Sequence, residues 1–219
     1  GNLALVYLVL LLVVTPWTLR NARVFGGFVP VSNNGGINLL IGNGTGANGQ
    51  YRENALPPGE GRLLGEYEKG RLAARLAAQS ILGDPMRFVR LVPQKVLRMY
   101  ADDAQAIRWN LKGMSGRASN GRYGFWDYAA MAVVQAYYGL VLLAFVACLI
   151  SSYSAKRFRE RIHPLGLSLV LYFTVVAIVF FGDPRFHFPL VPVFCLYAAQ
   201  MLFSRSCGDD QAFSETTSA

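Results

Sequence analysis

Residues 129–150 read AAMAVVQAYYGLVLLAFVACLI, and none of them is charged. As an α-helix, which rises about 1.5 Å per residue, they would extend about 33 Å, slightly more than the roughly 30 Å hydrocarbon core of a bilayer. Residues 165–182 and 188–203 are also uncharged, and as helices they would extend about 27 and 24 Å. These runs predict membrane-spanning helices, because a chain of this length could not enclose them all in one soluble core.

A further apolar run, residues 3–14, lies at the start of the chain. It is too short to cross a bilayer alone, and it lacks the basic first region and small-residue cleavage site of a signal peptide. Pro16 and Trp17 follow it, and proline usually ends a helix while an indole ring favours the membrane interface. We therefore expect a truncated transmembrane helix that ends near Thr15, in a chain that is one piece of a longer protein.

The composition narrows the class of protein further. Of the 219 residues, 53% are hydrophobic and 16% are charged, with a formal net charge of +8. These values exclude a disordered, collagen-like or coiled-coil chain. The basic residues form no stripe with interleaved stacking aromatics, so no nucleic-acid partner is expected. Two of the three cysteines lie in apolar runs, which argues against a disulfide framework, and no His, Cys and carboxylate cluster predicts a metal site or a cofactor.

The short connection at residues 151–164 indicates the orientation, because it carries four basic residues and a single acid. By the positive-inside tendency this loop is cytoplasmic. We predict an all-α integral membrane protein with four transmembrane helices, the first truncated, and a long external loop domain that contains amphipathic interfacial helices. Its parts are residues 1–15 (truncated helix), 16–127 (external domain), 128–203 (three transmembrane helices with the basic loop at 151–164) and 204–219 (cytoplasmic polar tail).

The external segment contains a stretch rich in glycine and asparagine, SNNGGINLLIGNGTGANG at residues 32–49. No Gly-Lys-Ser/Thr follows it, so it is not a nucleotide P-loop. Its composition alone favours a flexible surface loop, and the alternative is an ordered loop whose exposed backbone N–H groups form an anion-binding nest.

Two helices are predicted in the rest of the external segment. Residues 61–82 have the apolar spacing of a surface helix. Asp84 and Pro85 resemble an N-cap and a first helical residue, and the pattern from there to about Lys112 predicts a basic amphipathic helix in the headgroup layer, kinked at Pro93. The alternative is that this helix packs on the rest of the external segment.

At residues 15–51 and again at GDPRFHFPLVP (182–192), the chain resembles bacterial membrane glycosyltransferases of the C-type fold, in particular the superfamily of protein mannosyltransferases and aminoarabinose transferases. The resemblance spans the chain, but only as the C-terminal portion of such an enzyme. The matching positions are Pro16, Trp17, Arg20, Asn21, Asn34, Gly35, Gly36, Asn38, Leu39, Gly42, Asn43, Pro184, Arg185, Pro189 and Pro192.

The resemblance implies a transferase in the bacterial inner membrane, with residues 16–127 outside the cytoplasm. Such an enzyme takes a sugar from a polyprenyl-phosphate carrier and passes it to a lipid, glycan or protein acceptor. Its catalytic Asp is expected in an earlier external loop, so no catalytic residue is assigned in this chain. Arginine suits a lipid-linked phosphate, because its planar fork can donate two hydrogen bonds. The predicted substrate-binding residues are Arg20, Arg23, Asn34, Asn38, Asn43, Arg185 and His187.

The sequence is also compatible with two other classes of function. The first is a transporter or channel subunit, although no predicted span carries an Asp, Glu, Lys or Arg that could relay an ion. The second is a non-catalytic membrane scaffold that docks through the amphipathic helix.

Overall fold

The computed structural model describes residues 2–53, 55–61, 63–113, 123–154 and 162–201. Within these ranges the chain is helical without a β-strand, apart from one isolated parallel bridge between Gln50 and Gly182, and the predicted all-α class is confirmed. The basic residues at 156–161 and the tail at 204–219 lie outside the described residues. The helices are α1 (Asn2–Phe25), α2 (Gly35–Asn43), α3 (Glu66–Gly83), α4 (Pro85–Tyr100), α5 (Gln105–Gly113), α6 (Phe125–Ser154), α7 (Ile162–Val179) and α8 (191–201), with 3-10 turns at Pro184–Phe186 and Phe188–Leu190.

Two of these helices are long and apolar enough to cross a membrane. They are Leu3–Phe25 in α1 and Phe125–Tyr153 in α6, and α7 contributes a shorter apolar helix, Pro164–Val179. The apolar side chains of α1 between Leu3 and Val13 are exposed, as expected of a helix surrounded by lipid. The structure is compatible with a membrane protein, and the third and fourth predicted spans stay predictions.

The prediction that α1 ends at Pro16 is wrong, because the helix continues through Pro16 to Phe25. Side chains beyond the proline hold the segment that follows the helix. Trp17 Nε1 donates to Val31 O (2.9 Å), and Thr18 Oγ1 donates to Pro30 O (2.7 Å). Asn21, which is buried, donates from Nδ2 to Val29 O and Val31 O, both at 3.3 Å. These contacts compensate for the backbone hydrogen bond that Pro16 cannot make.

The prediction of a loop over residues 32–49 is also corrected, because Gly35–Asn43 form helix α2. Its apolar residues pack on α3, in a cluster centred on Leu40, Ala73 and Ala77. The two helices approach closely at glycine: a Cβ on Gly36 would lie 1.9 Å from Gly70 O. Tertiary packing of a short apolar run therefore overrides the low helix propensity of glycine and asparagine.

The predicted helix from Asp84 to Lys112 is divided into α4 and α5. Its start is confirmed, since Asp84 Oδ1 accepts from Arg87 N (2.9 Å). Pro93 lies inside α4. The helix ends at Tyr100, and Asp102 Oδ1 accepts a hydrogen bond from Ala104 N (3.0 Å) just before α5. Aspartate favours such a turn over a helix interior, because its short side chain competes for backbone N–H groups.

The chain divides into two compact units. Unit 1 comprises Gly1–Lys95 with Ile178–Gly182, and unit 2 comprises Val96–Ala177 with Asp183–Ala219. The α2–α3 cluster described above is the apolar core of unit 1. In unit 2 the buried core consists of Met99, Tyr138, Phe145, Cys148, Ala177, Leu190, Phe194 and Tyr197.

Adjacent glycines on α2 test the close packing of α2 on α3. Gly36→Ala should destabilise the protein by about 1–3 kcal/mol, because the new methyl group meets the Gly70 carbonyl. Gly35→Ala is the matched control, since a Cβ there has no neighbour within 4 Å, and it should be neutral or stabilising by up to about 1 kcal/mol. Thermal unfolding of the detergent-solubilised variants, followed by circular dichroism, measures both effects. Equal losses in the two variants would contradict the packing.

Candidate functional site

Asn43, the last residue of α2, is the best-connected of the predicted site residues. Its side chain is almost fully buried. The amide nitrogen Nδ2 donates to Leu39 O (2.9 Å) and to Val179 O (2.8 Å), and Oδ1 accepts from Lys95 Nζ (2.7 Å). The side chain therefore connects the end of α2 to the 178–182 segment. With donors and acceptor all in use, Asn43 fixes the position of the glycine-rich turn that follows it.

Lys95 on α4 supplies the charge at this junction, and its side chain is 0% exposed. Nζ donates to Asn43 Oδ1 and to Ile178 O, both at 2.7 Å, and lies 4.9 Å from the centre of the Phe88 ring. Burial lowers the pKa of Lys95 from its usual 10.5 to about 8. Two neutral oxygen acceptors and an aromatic face thus stabilise the ammonium in the interior. Its removal from water lowers the free energy of unfolding substantially.

Glycines make room for the backbone around Lys95. A Cβ on Gly182 would lie 2.0 Å from Lys95 O, and a Cβ on Gly42 would lie 1.6 Å from Phe180 O. Gly182 N donates to Gly49 O (2.8 Å), where Gly49 has a φ of 81°. The 178–182 segment is therefore held between the end of α2, the residues around 49 and Lys95.

A second cation, Arg87, binds the turn that follows Asn43. Its Nη2 donates to Gly44 O (2.6 Å) and its Nη1 to Ser80 Oγ (3.0 Å). Weaker contacts reach Asn43 O (3.4 Å) and Ala47 O (3.5 Å). Within the described residues neither Arg87 nor Lys95 has a carboxylate partner. Together they make the turn at residues 43–47 a positively charged part of unit 1.

The other predicted residues of unit 1 are more exposed. Arg20 lies with its guanidinium 5.0 Å from the Trp17 ring centre and donates to Asn21 Oδ1 (3.1 Å). Arg23 is exposed in the last turn of α1. Asn34 is the exposed N-cap of α2 without a side-chain cap bond, and Asn38 is half-buried on the same helix. Arg20, Arg23 and Asn34 are therefore accessible from solvent, and ligand binding by these side chains stays a prediction.

In unit 2, His187 is completely buried between aromatic rings. The ring of Tyr138 stacks on it at 4.5 Å between centres, and Phe188 lies at 5.8 Å. Nδ1 contacts Met99 O, and Nε2 lies 3.0 Å from Asp103 Oδ1. Both partners are oxygen acceptors, and the imidazole and the Asp103 carboxylate form a largely buried polar pair. Both ring nitrogens are occupied within the protein, and phosphate binding by His187 stays a prediction.

Gln135 of α6 holds the backbone on which Asp103 lies. Its Oε1 accepts from Asp103 N and its Nε2 donates to Ala101 O, both at 2.9 Å. The polar groups of a glutamine in an apolar helix are thus hydrogen-bonded to protein groups.

Next to Asp103, Asp102 forms an ion pair with Arg108. On the other side of His187, the hydroxyl of Tyr100 is 2.7 Å from Thr174 Oγ1, and burial raises the pKa of Tyr100 although this hydrogen bond lowers it.

Arg185 is about half exposed and lies in the same unit as His187. Its Nε is 3.1 Å from Asp183 Oδ1, and Asp183, which is buried, also accepts from Arg185 N (3.0 Å). The guanidinium carbon lies 5.8 Å from the Trp109 ring centre. Asp183 therefore orients Arg185 and offsets part of its charge.

The structure thus separates the predicted residues into two groups. Arg20, Arg23, Asn34, Asn38 and Asn43 belong to unit 1, whereas Arg185 and His187 belong to unit 2. Sequence reasoning missed Lys95, Arg87 and Asp103. Lys95 lies on the same buried stripe of α4 as Leu91 and Met99, at four-residue spacing, which is the one signal that could have identified it.

The pKa of Lys95 predicts a specific dependence of stability on pH. Between about pH 8 and 10.5 the folded protein loses this proton while the unfolded chain keeps it. The unfolded state then binds more protons, so the free energy of unfolding should rise with pH in that window, by up to about 3 kcal/mol. Lys95→Met should lose this rise, and Lys69→Met at a half-buried position on α3 should keep it. Unfolding of the three proteins by denaturant at pH 7, 8, 9 and 10 tests this, and a rise that persists in Lys95→Met would contradict it.

Two neighbouring aspartates test the pairing with His187. Asp103→Asn should lower the free energy of unfolding by about 2 kcal/mol, because it removes a buried charge-assisted hydrogen bond. Asp102→Asn should cost less than about 1 kcal/mol, since Asp102 and Arg108 are each about one-third exposed. In a His187→Gln background the effect of Asp103→Asn should largely disappear. Additive effects in this double-mutant cycle, measured by chemical unfolding, would show that the pair does not interact.

Comparison of the chain with family models, with curated proteins and with solved structures found no match in any of the three. Among the described residues, no group of three or more His, Cys, Asp or Glu side chains could hold a metal ion. The function proposed below accordingly rests on the resemblance of residues 15–51 and 182–192 and on the side-chain contacts described above.

Proposed function

We propose that the chain is part of an integral membrane glycosyltransferase, which transfers a sugar from a polyprenyl-phosphate donor to a lipid, glycan or protein acceptor. The membrane would be a bacterial inner membrane, with residues 16–127 outside the cytoplasm. Two long apolar helices and the resemblance of residues 15–51 and 182–192 to such enzymes support the proposal.

The observation that carries the proposal is the positive charge built around the turn at residues 43–47. Lys95 is buried without a carboxylate among the described residues, and Arg87 binds the same turn through backbone carbonyl groups. Burying cations without acidic partners is costly, and such a region attracts an anion. A phosphate leaving group held at a membrane surface is an anion of that kind.

The predicted arginines are proposed to contact the carrier: Arg20 and Arg23 in unit 1 and, as a separate assignment, Arg185 in unit 2. Arg20 and Arg23 extend from the final turns of a helix that is long enough to span a bilayer. When the bond between the sugar and the phosphate breaks, negative charge grows on the phosphate, and donors already in place stabilise it. Asp183 would keep Arg185 oriented until that charge develops.

Substitution of the arginines in the full-length protein tests the proposed function. Arg20→Ala and Arg185→Ala should each reduce sugar transfer or donor affinity by roughly 10- to 100-fold, the range expected for loss of a charge-assisted hydrogen bond. Arg98→Ala, an exposed arginine on α4, is the matched control and should transfer normally. The assay measures transfer of radiolabelled sugar from the lipid-linked donor in purified membranes. Unchanged turnover and unchanged donor affinity in both variants would refute the assignment.

A further inference from the structure

Unit 1 contains a cleft of about 550 Å³ beside the glycine-rich turn. Its apolar lining residues include leucines from α2 and α3 and two successive prolines, Pro57 and Pro58. Its polar lining residues are Thr45, Gln79, Ser80 and Arg52. No carboxylate is among the described residues that line it. The volume lies in the usual range of small-molecule sites, about 300–1,000 Å³.

Arg52 is the charged group of this cleft, and its hydrogen bonding within the described residues is incomplete. Nη1 donates to Thr45 O (3.1 Å), whereas Nε is shielded from solvent and has no acceptor. The guanidinium lies against the turn where glycine leaves space: a Cβ on Gly44 would be 3.0 Å from Nη2. An oxyanion in the cleft would be bound by the Nη groups of Arg52 rather than by the shielded Nε, and no carboxylate in the described lining would compete with it.

The remaining lining groups indicate what carries the oxyanion. Ser80 Oγ accepts from Arg87 Nη1, so its own O–H is still able to donate. Thr45 and Gln79 add further groups that donate to or accept from hydroxyl groups. Pro57, Pro58 and Leu56 present apolar surface, against which the C–H face of a sugar ring packs. A lining that combines hydroxyl, amide and guanidinium groups with apolar surface suits a small hydroxylated ring better than a bare anion.

We propose that the cleft binds an anionic sugar, a single ring that bears a phosphate or a carboxylate group held by Arg52. Arg20, Arg23 and Arg185, which are proposed to contact the carrier, do not line this cleft, although the cleft borders the same glycine-rich turn. The inference concerns binding alone and does not depend on sugar transfer, so its failure and the failure of the proposed function can be told apart.

Titration calorimetry of the purified chain in nonionic detergent tests the site with four probes: glucose 1-phosphate, glucuronate, glucose and inorganic phosphate. At least one anionic sugar should bind saturably, and glucose and inorganic phosphate should bind at least tenfold more weakly. The tighter of the two anionic sugars identifies the preferred anion. Absence of saturable binding by both, or equal binding of glucose or of inorganic phosphate, would overturn the proposal.

Variants locate the binding in the cleft. Arg52→Gln should weaken binding of the anionic sugar at least tenfold, and Arg90→Gln, an exposed arginine of α4, should leave it unchanged. Gln79→Trp places a large ring in the cleft from an exposed position on α3 and should abolish binding even if Arg52→Gln fails to fold. Binding that is unaffected by Gln79→Trp, or by a folded Arg52→Gln, would overturn the proposal.

Discussion

The hydrogen bond between the buried ammonium of Lys95 and Asn43 is the interaction on which the arrangement of unit 1 depends. It joins α4 to the end of α2, and both side chains also bind backbone carbonyls of residues 178 and 179. An apolar side chain at position 95 would leave Asn43 Oδ1 and Ile178 O without their donor. A buried lysine lowers stability at neutral pH, so the fold keeps a costly charge at the point where three parts of the chain meet.

The two units treat buried charge differently. In unit 2 the imidazole of His187 faces the carboxylate of Asp103, and Arg185 is oriented by Asp183, so both basic groups have carboxylate partners. In unit 1 Lys95 and Arg87 bind neutral carbonyl and amide oxygens. A cationic region without acidic partners attracts anions through its electrostatic field, although the Lys95 ammonium itself is buried. This difference supports the proposal that the glycine-rich turn lies near the carrier phosphate.

The secondary-structure elements that neighbouring residues determine could be predicted from the sequence. The apolar runs formed helices, and Asp84 caps α4 as its position before Pro85 indicated. Pro16 was misleading, because the rule for proline counts the missing hydrogen bond and not the contacts of side chains with residues 29–31. Helix α2 was missed because glycine and asparagine are typical of turns, whereas here glycine allows the helix to approach α3.

The candidate site was predicted only in part for a related reason. Asn43 could be identified from a local pattern, but its role depends on partners 52 and 136 residues away. Lys95 lies on a helix with several basic residues, and its four-residue spacing with Leu91 and Met99 indicates burial but not the acceptors that it binds. Asp103 is defined in the same way by a histidine 84 residues later in the chain.

The most direct measurement of the central claim compares the binding of farnesyl phosphate and farnesol to the purified protein in nonionic detergent. The two lipids share one chain and differ only in the phosphate group, so the difference in affinity reports the contribution of the positive charge. We predict that farnesyl phosphate binds at least tenfold more tightly at low ionic strength and that added salt narrows the difference. Equal affinities for the two lipids would contradict the account.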